Sequence, residues 1–99
     1  MKYTVKVLVK AQMELLLSLK WYDGQLDGLG DRLELSVLKK IDSIINNPLI
    51  YPNKKFDFRE CKVDDFPFLI IYKVDPRKHL IVIYAIFHTS RRPGKKYSK

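Results

Sequence analysis

The chain has 99 residues, of which 46% are hydrophobic and 30% are charged, and its net charge is +8. This hydrophobic content excludes an intrinsically disordered chain, and the length predicts one domain over residues 1–99 with a modest core. The single cysteine, Cys61, excludes an internal disulfide framework and a multi-cysteine metal site. Because there is no signal-peptide core and no run of about 18 apolar residues, we expect a cytoplasmic protein that does not enter a membrane.

In the first half of the chain, hydrophobic periodicity changes from 2 to 3.6. Residues 2–8 alternate and predict a strand, and residues 10–23 carry an apolar stripe at helical spacing. A second helix is predicted over residues 29–46, where apolar residues recur at every third or fourth position up to Pro48. Two helices with a short join predict an antiparallel helical hairpin.

The second half returns to strand patterns. Three strands are predicted at about residues 55–63, 68–74 and 80–87, separated by turns that contain Asp64-Asp65 and Asp75-Pro76. Because the connections are short, these strands should form an antiparallel meander. The sequence therefore predicts an α+β fold of order β-α-α-β-β-β, with a two-helix hairpin packed on one face of an antiparallel sheet.

The positive charge is concentrated in the second half. Residues 1–52 hold 7 basic and 6 acidic side chains, whereas residues 53–99 hold 12 basic and 5 acidic side chains, a net +7. Such a field attracts polyanions or an acidic protein. The alternative is that the excess charge only maintains solubility.

The last predicted strand leads directly into a cationic tail. His88 follows the strand directly, and Arg91, Arg92, Lys95 and Lys96 come after it, with no acidic residue among them. A proton-transfer residue beside guanidinium groups suits contact with a phosphate-bearing partner. No cluster in the chain has metal-ligand spacing, so we predict neither a metal nor a cofactor.

Four passages carry a resemblance to a known family. They are Leu-Gly-Asp-Arg-Leu at residues 29–33, Ile-Ile-Asn-Asn-Pro at 44–48, Phe-Pro-Phe-Leu-Ile-Ile-Tyr at 66–72 and Ile-Phe-His-Thr-Ser-Arg-Arg-Pro at 86–93. In this order and spacing the chain resembles the RelE/ParE superfamily of toxins from bacterial toxin–antitoxin pairs. The resemblance implies a RelE/ParE-like fold and a growth-inhibiting toxin that a cognate antitoxin neutralises.

The superfamily contains two classic activities. ParE-like members bind DNA gyrase and poison it, whereas RelE-like members enter the ribosome and cut mRNA. For the nuclease, the resemblance implies His88 as acid or base, Arg91 as the phosphate-binding residue and Tyr97 as a stacking or proton-shuttling residue. The further candidates for binding phosphate or a partner are Lys54, Lys55, Arg59, Arg92, Lys95 and Lys96. Equally, His88 could hydrogen-bond to a turn, and the arginines could form a solvated tail.

One position argues against the nuclease. Aligned on Tyr72, Asp64 stands where RelE-like nucleases carry an important arginine, and Asp65 follows it. Two carboxylates beside an RNA phosphate would repel it. We therefore favour a toxin that binds a core machine such as DNA gyrase, with a ribosome-dependent mRNA endonuclease as the alternative. A basic nucleic-acid-binding domain without toxicity is the third hypothesis.

Overall fold

A computed structural model describes residues 2–90 of the chain. Two helices and five strands follow one another along it. Their bounds are β1 Thr4–Val7, α1 Val9–Gln25, α2 Leu29–Asn46, β2 Asn53–Lys55, β3 Phe58–Lys62, β4 Phe68–Asp75 and β5 Leu80–His88. The strands form one sheet in the order β1-β5-β4-β3-β2. In the described part of the chain, no helix is long and apolar enough to cross a membrane.

The predicted fold class is confirmed, with two differences in detail. The sheet is mixed, because β1 pairs in parallel with β5 while all other neighbours are antiparallel. The strand predicted at 55–63 is a hairpin of β2 and β3, which reverses at Phe56 and Asp57. Both turn residues have positive φ, and the pair lacks the Asn-Gly signal that usually marks such a turn.

The main core lies between the helices and one face of the sheet. It is formed by fully buried side chains of both helices and of β3, β4 and β5, including Leu33, Val37, Ile70 and Ile83. The helices approach closely at Gly30, where an added Cβ would lie 2.6 Å from the carbonyl oxygen of α1 at Leu19. This contact explains why the second residue of α2 is a glycine.

The opposite face of the sheet carries a smaller buried cluster. Phe58, Ile71, Ala85 and Phe87 form it, with Leu69 and Tyr84 packed against them. Phe58 and Tyr84 meet edge to face with ring centroids 5.0 Å apart, and the ammonium of Lys73 lies 4.4 Å from the centre of the Phe58 ring. We call this surface the second face of the sheet.

A β-bulge in β5 decides which side chains reach which face. Tyr72 pairs with Ile83, but its neighbour Ile71 pairs with Ala85, so β5 contains one extra residue at this point. Strict alternation would place residues 83, 85 and 87 on one face. Because of the bulge, Ile83 and Ile86 both face the helices, whereas residues 85 and 87 belong to the second face. Every later position of β5 is therefore reversed relative to the alternating pattern.

Candidate functional site

A cleft of about 450 Å³ lies where α2, the loop after it, and β2 and β3 meet. Three lysines and two carboxylates line it, together with Tyr51, Pro52 and Leu69. The charged residues are Lys40, Lys54, Glu60, Lys62 and Asp64. With a formal charge of +1, this cleft can hold a carboxylate or another anionic group of a partner, and the side chain of Leu69 adds an apolar contact.

Asp64 is held in the cleft by an ion pair. Its Oδ1 lies 3.5 Å from Nζ of Lys40, and the Asp64 side chain is 58% exposed. An exposed ion pair of this kind contributes at most about 1 kcal/mol to stability. The ion pair thus sets one positive charge of the cleft against the Asp64 carboxylate.

Arg59 supports one wall of the cleft through the backbone. Its Nη1 donates hydrogen bonds to the carbonyl oxygens of Tyr51, at 2.7 Å, and Leu49, at 3.3 Å. The buried hydroxyl of Tyr72 donates to the carbonyl oxygen of Pro48 at 2.8 Å. Burial raises the pKa of Tyr72 well above its ordinary range, so the hydroxyl keeps its donor proton into the alkaline range. The structure therefore places Arg59 in the anchoring of the loop, and its binding of phosphate or a partner stays a prediction.

Lys54 and Lys55 are exposed on the edge strand β2. Lys54 lines the cleft, and Nζ of Lys55 lies 5.1 Å from the centre of the Phe56 ring. Both lysines are therefore available to a partner that approaches this edge of the sheet.

His88 lies on the helix side of the sheet. It pairs with Phe68 in the neighbouring strand, and the two rings meet edge to face with centroids 5.0 Å apart. Phe68 belongs to the main core and contacts Tyr22 of α1. Nδ1 of His88 accepts a hydrogen bond from the backbone N–H of Ser90 at 3.2 Å. This is the turn contact that the sequence left open as an alternative to catalysis.

The strand order separates His88 from the lysines of β2. β5 and β2 are separated by three inter-strand steps, or about 14 Å at about 4.8 Å a step. His88 also pairs at the start of β4, whereas Lys55 pairs with Phe58 at the start of β3, which is antiparallel to β4. The two sets therefore lie near opposite ends of the sheet as well as on separate strands, and they cannot contact the same phosphate.

The family model for the ParE toxin of the type II toxin–antitoxin system, parDE, matches residues 5–93. The chain belongs to this family. It is thus a toxin of a type II toxin–antitoxin system, and family membership implies a cognate antitoxin as its partner. A search of the curated proteins finds no match.

Solved structures of related toxin–antitoxin systems share the toxin's fold. A chain of the chromosomal ParDE system from P. aeruginosa has a TM-score of 0.75 at 14% identity, covering 87% of this chain and 95% of that one. A chain of the intact E. coli RelBE complex has a TM-score of 0.64 at 18% identity, covering 85% of this chain and 93% of that one. Free E. coli RelE with two arginines replaced by alanine has a TM-score of 0.69 at 18% identity, covering 94% of this chain and 90% of that one. At these identities, the likeness supports the fold alone.

The tail residues of the toxin lie outside the described part of the chain. They are Arg91, Arg92, Lys95, Lys96 and Tyr97. Their assignment to phosphate, partner or catalysis stays a prediction. Among residues 2–90, no group of three or more His, Cys, Asp or Glu side chains is placed to hold a metal ion.

The outer side of α1 in this toxin is a surface that sequence reasoning missed. Val9, Met13, Leu16, Leu17 and Trp21 are each at least half exposed. These positions recur every three or four residues, so they lie along one side of the helix. The signal was present in the sequence, because the apolar residues of this segment surround the helix rather than forming one stripe. Such an apolar surface on a small protein is typical of a site that a partner covers.

Proposed function

We propose that the toxin inhibits growth by binding DNA gyrase and poisoning it, without cutting RNA, and that its cognate antitoxin neutralises it in the cytoplasm. The match of residues 5–93 to the ParE family supports this choice of branch. The structural observation that carries it is the separation of His88 from Lys54 and Lys55 on opposite ends of the sheet.

The chemistry of RNA cleavage explains why this separation matters. Without a metal, a base must take the 2′-hydroxyl proton, cations must stabilise the phosphorane and an acid must protonate the leaving oxygen. All three groups must reach one phosphate. His88 instead packs on Phe68 and accepts a hydrogen bond through Nδ1, while Asp64 adds a negative charge to the basic cleft. These contacts favour an inhibitor that acts by binding.

The second candidate is a ribosome-dependent mRNA endonuclease that uses His88, Arg91 and Tyr97. The position of His88 at the end of β5, three residues before Arg91, favours it. In this mechanism the guanidinium would hold the phosphate, His88 would transfer a proton and the tyrosine would stack on a base.

Antitoxin binding is expected to use charge and apolar area together. A segment that folds on binding needs a large contact surface, because its ordering opposes association. The net +7 of residues 53–99 suits an acidic segment that crosses the sheet, and the outer side of α1 supplies further apolar area.

The test is a reconstituted supercoiling reaction with purified gyrase, relaxed plasmid and ATP. We expect the toxin to block supercoiling and to trap cleaved plasmid, and we expect prior addition of the cognate antitoxin to prevent both effects. The control is synthetic mRNA on programmed ribosomes, which should stay intact. Unchanged supercoiling together with cut mRNA would replace the proposal with the second candidate.

A further inference from the structure

The hairpin between β2 and β3 has an unusual turn. Lys55 pairs with Phe58, so Phe56 and Asp57 alone form the connection. Their φ angles are 54° and 64°, the positive values that a type I′ turn requires at both central residues. Asn-Gly is the preferred pair in this turn because these residues tolerate the left-handed region. A bulky phenylalanine does so only with strain.

Burial of the ring does not offset this strain. The Phe56 side chain is 67% exposed, and it belongs to neither of the two buried clusters of the described residues. The ammonium of Lys55 lies 5.1 Å from the centre of the Phe56 ring. A large apolar side chain thus stands at the tip of an edge hairpin in a conformation that weakens the fold. Backbone strain that no packing interaction offsets is characteristic of functional positions.

We propose that Phe56 is the anchor by which the toxin holds its protein target, inserting into an apolar pocket whose rim carries carboxylates for Lys54 and Lys55. The inference rests on the proposed function in one respect, namely that the target is a protein. Buried aromatic residues dominate the binding energy of protein interfaces, and neighbouring charges guide approach and orientation. A rigid two-residue turn presents such an anchor with little loss of freedom on binding.

The charges around the tip favour a protein over a nucleic acid. Asp57 follows Phe56 directly, and Glu60 and Asp64 line the adjacent cleft. The cleft as a whole carries a formal charge of +1, but these carboxylates interrupt its positive field, which disfavours a continuous phosphate backbone. On the other side, the ammonium of Lys55 lies over the Phe56 ring, where a stacked base would have to compete with it. A pocket with a few carboxylates at its rim has the complementary pattern.

The test separates the role of the ring from the stability of the turn. Phe56→Asn removes the ring and supplies a residue that suits positive φ, so we expect Tm to rise by about 4–8 °C. The toxin concentration for half-inhibition should rise about 30- to 1000-fold, the range for loss of a dominant interface residue. Affinity for the antitoxin should stay within about threefold, since the fold is intact.

One control variant shares the turn. Asp57→Gly replaces the second turn residue by one that tolerates positive φ and keeps the Phe56 ring, so it should inhibit like the wild type. All variants are compared for gyrase inhibition and for growth arrest on induction.

The outcomes distinguish this inference from the proposed function. If the wild type inhibits gyrase and Phe56→Asn inhibits it equally, the anchor is refuted while the gyrase proposal stands. If the wild type leaves gyrase unaffected, the gyrase proposal fails. Growth arrest then tests the anchor separately: loss of arrest in Phe56→Asn supports it, and retained arrest refutes it. If Phe56 instead contacts RNA, Phe56→Asn would bind single-stranded RNA more weakly than the wild type, and that result would also overturn the inference.

Discussion

Replacement of Glu14 by alanine tests how α1 holds the bulged end of β5. Oε1 of Glu14 accepts a hydrogen bond from the backbone N–H of Ile86 at 3.0 Å, just beyond the extra residue of the bulge. Oε2 accepts one from Nζ of Lys10, also at 3.0 Å. The carboxylate thus satisfies a backbone donor of β5 beyond the end of β1, whose pairing with β5 stops at Val7 and Ile83.

The magnitude follows from these two contacts. A hydrogen bond to a charged group contributes about 1.5–3 kcal/mol, and an exposed ion pair four residues apart on a helix contributes about 0.3–0.5 kcal/mol. We expect Glu14→Ala to lower the free energy of unfolding by about 2–3 kcal/mol. For a chain of this length, Tm should fall by about 8–24 °C, as measured by thermal unfolding of the purified toxin, and urea unfolding gives the free energy directly.

Two further variants apportion the effect. Lys10→Ala removes only the ion pair and should cost less than about 0.5 kcal/mol. Glu14→Gln keeps an acceptor for the Ile86 amide and should cost about 1 kcal/mol, because the charge is lost. The reasoning is refuted if Lys10→Ala destabilises the toxin as much as Glu14→Ala, or if Glu14→Ala changes the unfolding free energy by less than about 0.5 kcal/mol.

Three further substitutions test other parts of the account. Burial raises the folded-state pKa of Tyr72, so the contribution of its protonated hydroxyl to stability is present below about pH 10 and is lost as the pH rises further. Tyr72→Phe should therefore lose less stability between pH 8 and pH 12 than the wild type, as measured by urea unfolding. At pH 7 the same variant should cost about 1 kcal/mol, because the hydrogen bond to Pro48 is lost. Gly30→Ala places a Cβ 2.6 Å from the Leu19 carbonyl oxygen and should cost about 1–3 kcal/mol in chemical unfolding, and a neutral result would show that the helices separate freely. His88→Ala should leave growth inhibition within about threefold of the wild type in induction assays, whereas a loss of about 100- to 10,000-fold would indicate general acid–base catalysis.

The second helix was predictable because its apolar stripe repeats over many turns. The second helix was predicted at residues 29–46 and is found there. The prediction of its end was accurate because the long apolar stripe and the proline at position 48 both indicate the same end. The antiparallel order of β3, β4 and β5 also followed from short connections. The pairing of β1 with β5 in parallel depends on contacts between the two ends of the described chain, and no local pattern encodes it.

The orientation of His88 was not predictable from alternation. An unbroken β5 would place residues 86 and 88 on the face opposite Ile83, but the extra residue in the bulge returns both to the helix side. The hairpin at Phe56 was missed for a related reason, because its turn places phenylalanine, which rarely adopts positive φ, at the first central position. In both places a local departure from regular backbone geometry changes the position of a candidate functional side chain.

The central claim is that this toxin acts by binding gyrase and not by cutting RNA. Its most direct test is to induce the wild type in cells, map the 5′ ends of all transcripts and measure the DNA-damage response in the same cultures. The account predicts a DNA-damage response and no new RNA ends at fixed codon positions. New codon-positioned ends without DNA damage would contradict it and would identify the toxin as a ribosome-dependent nuclease.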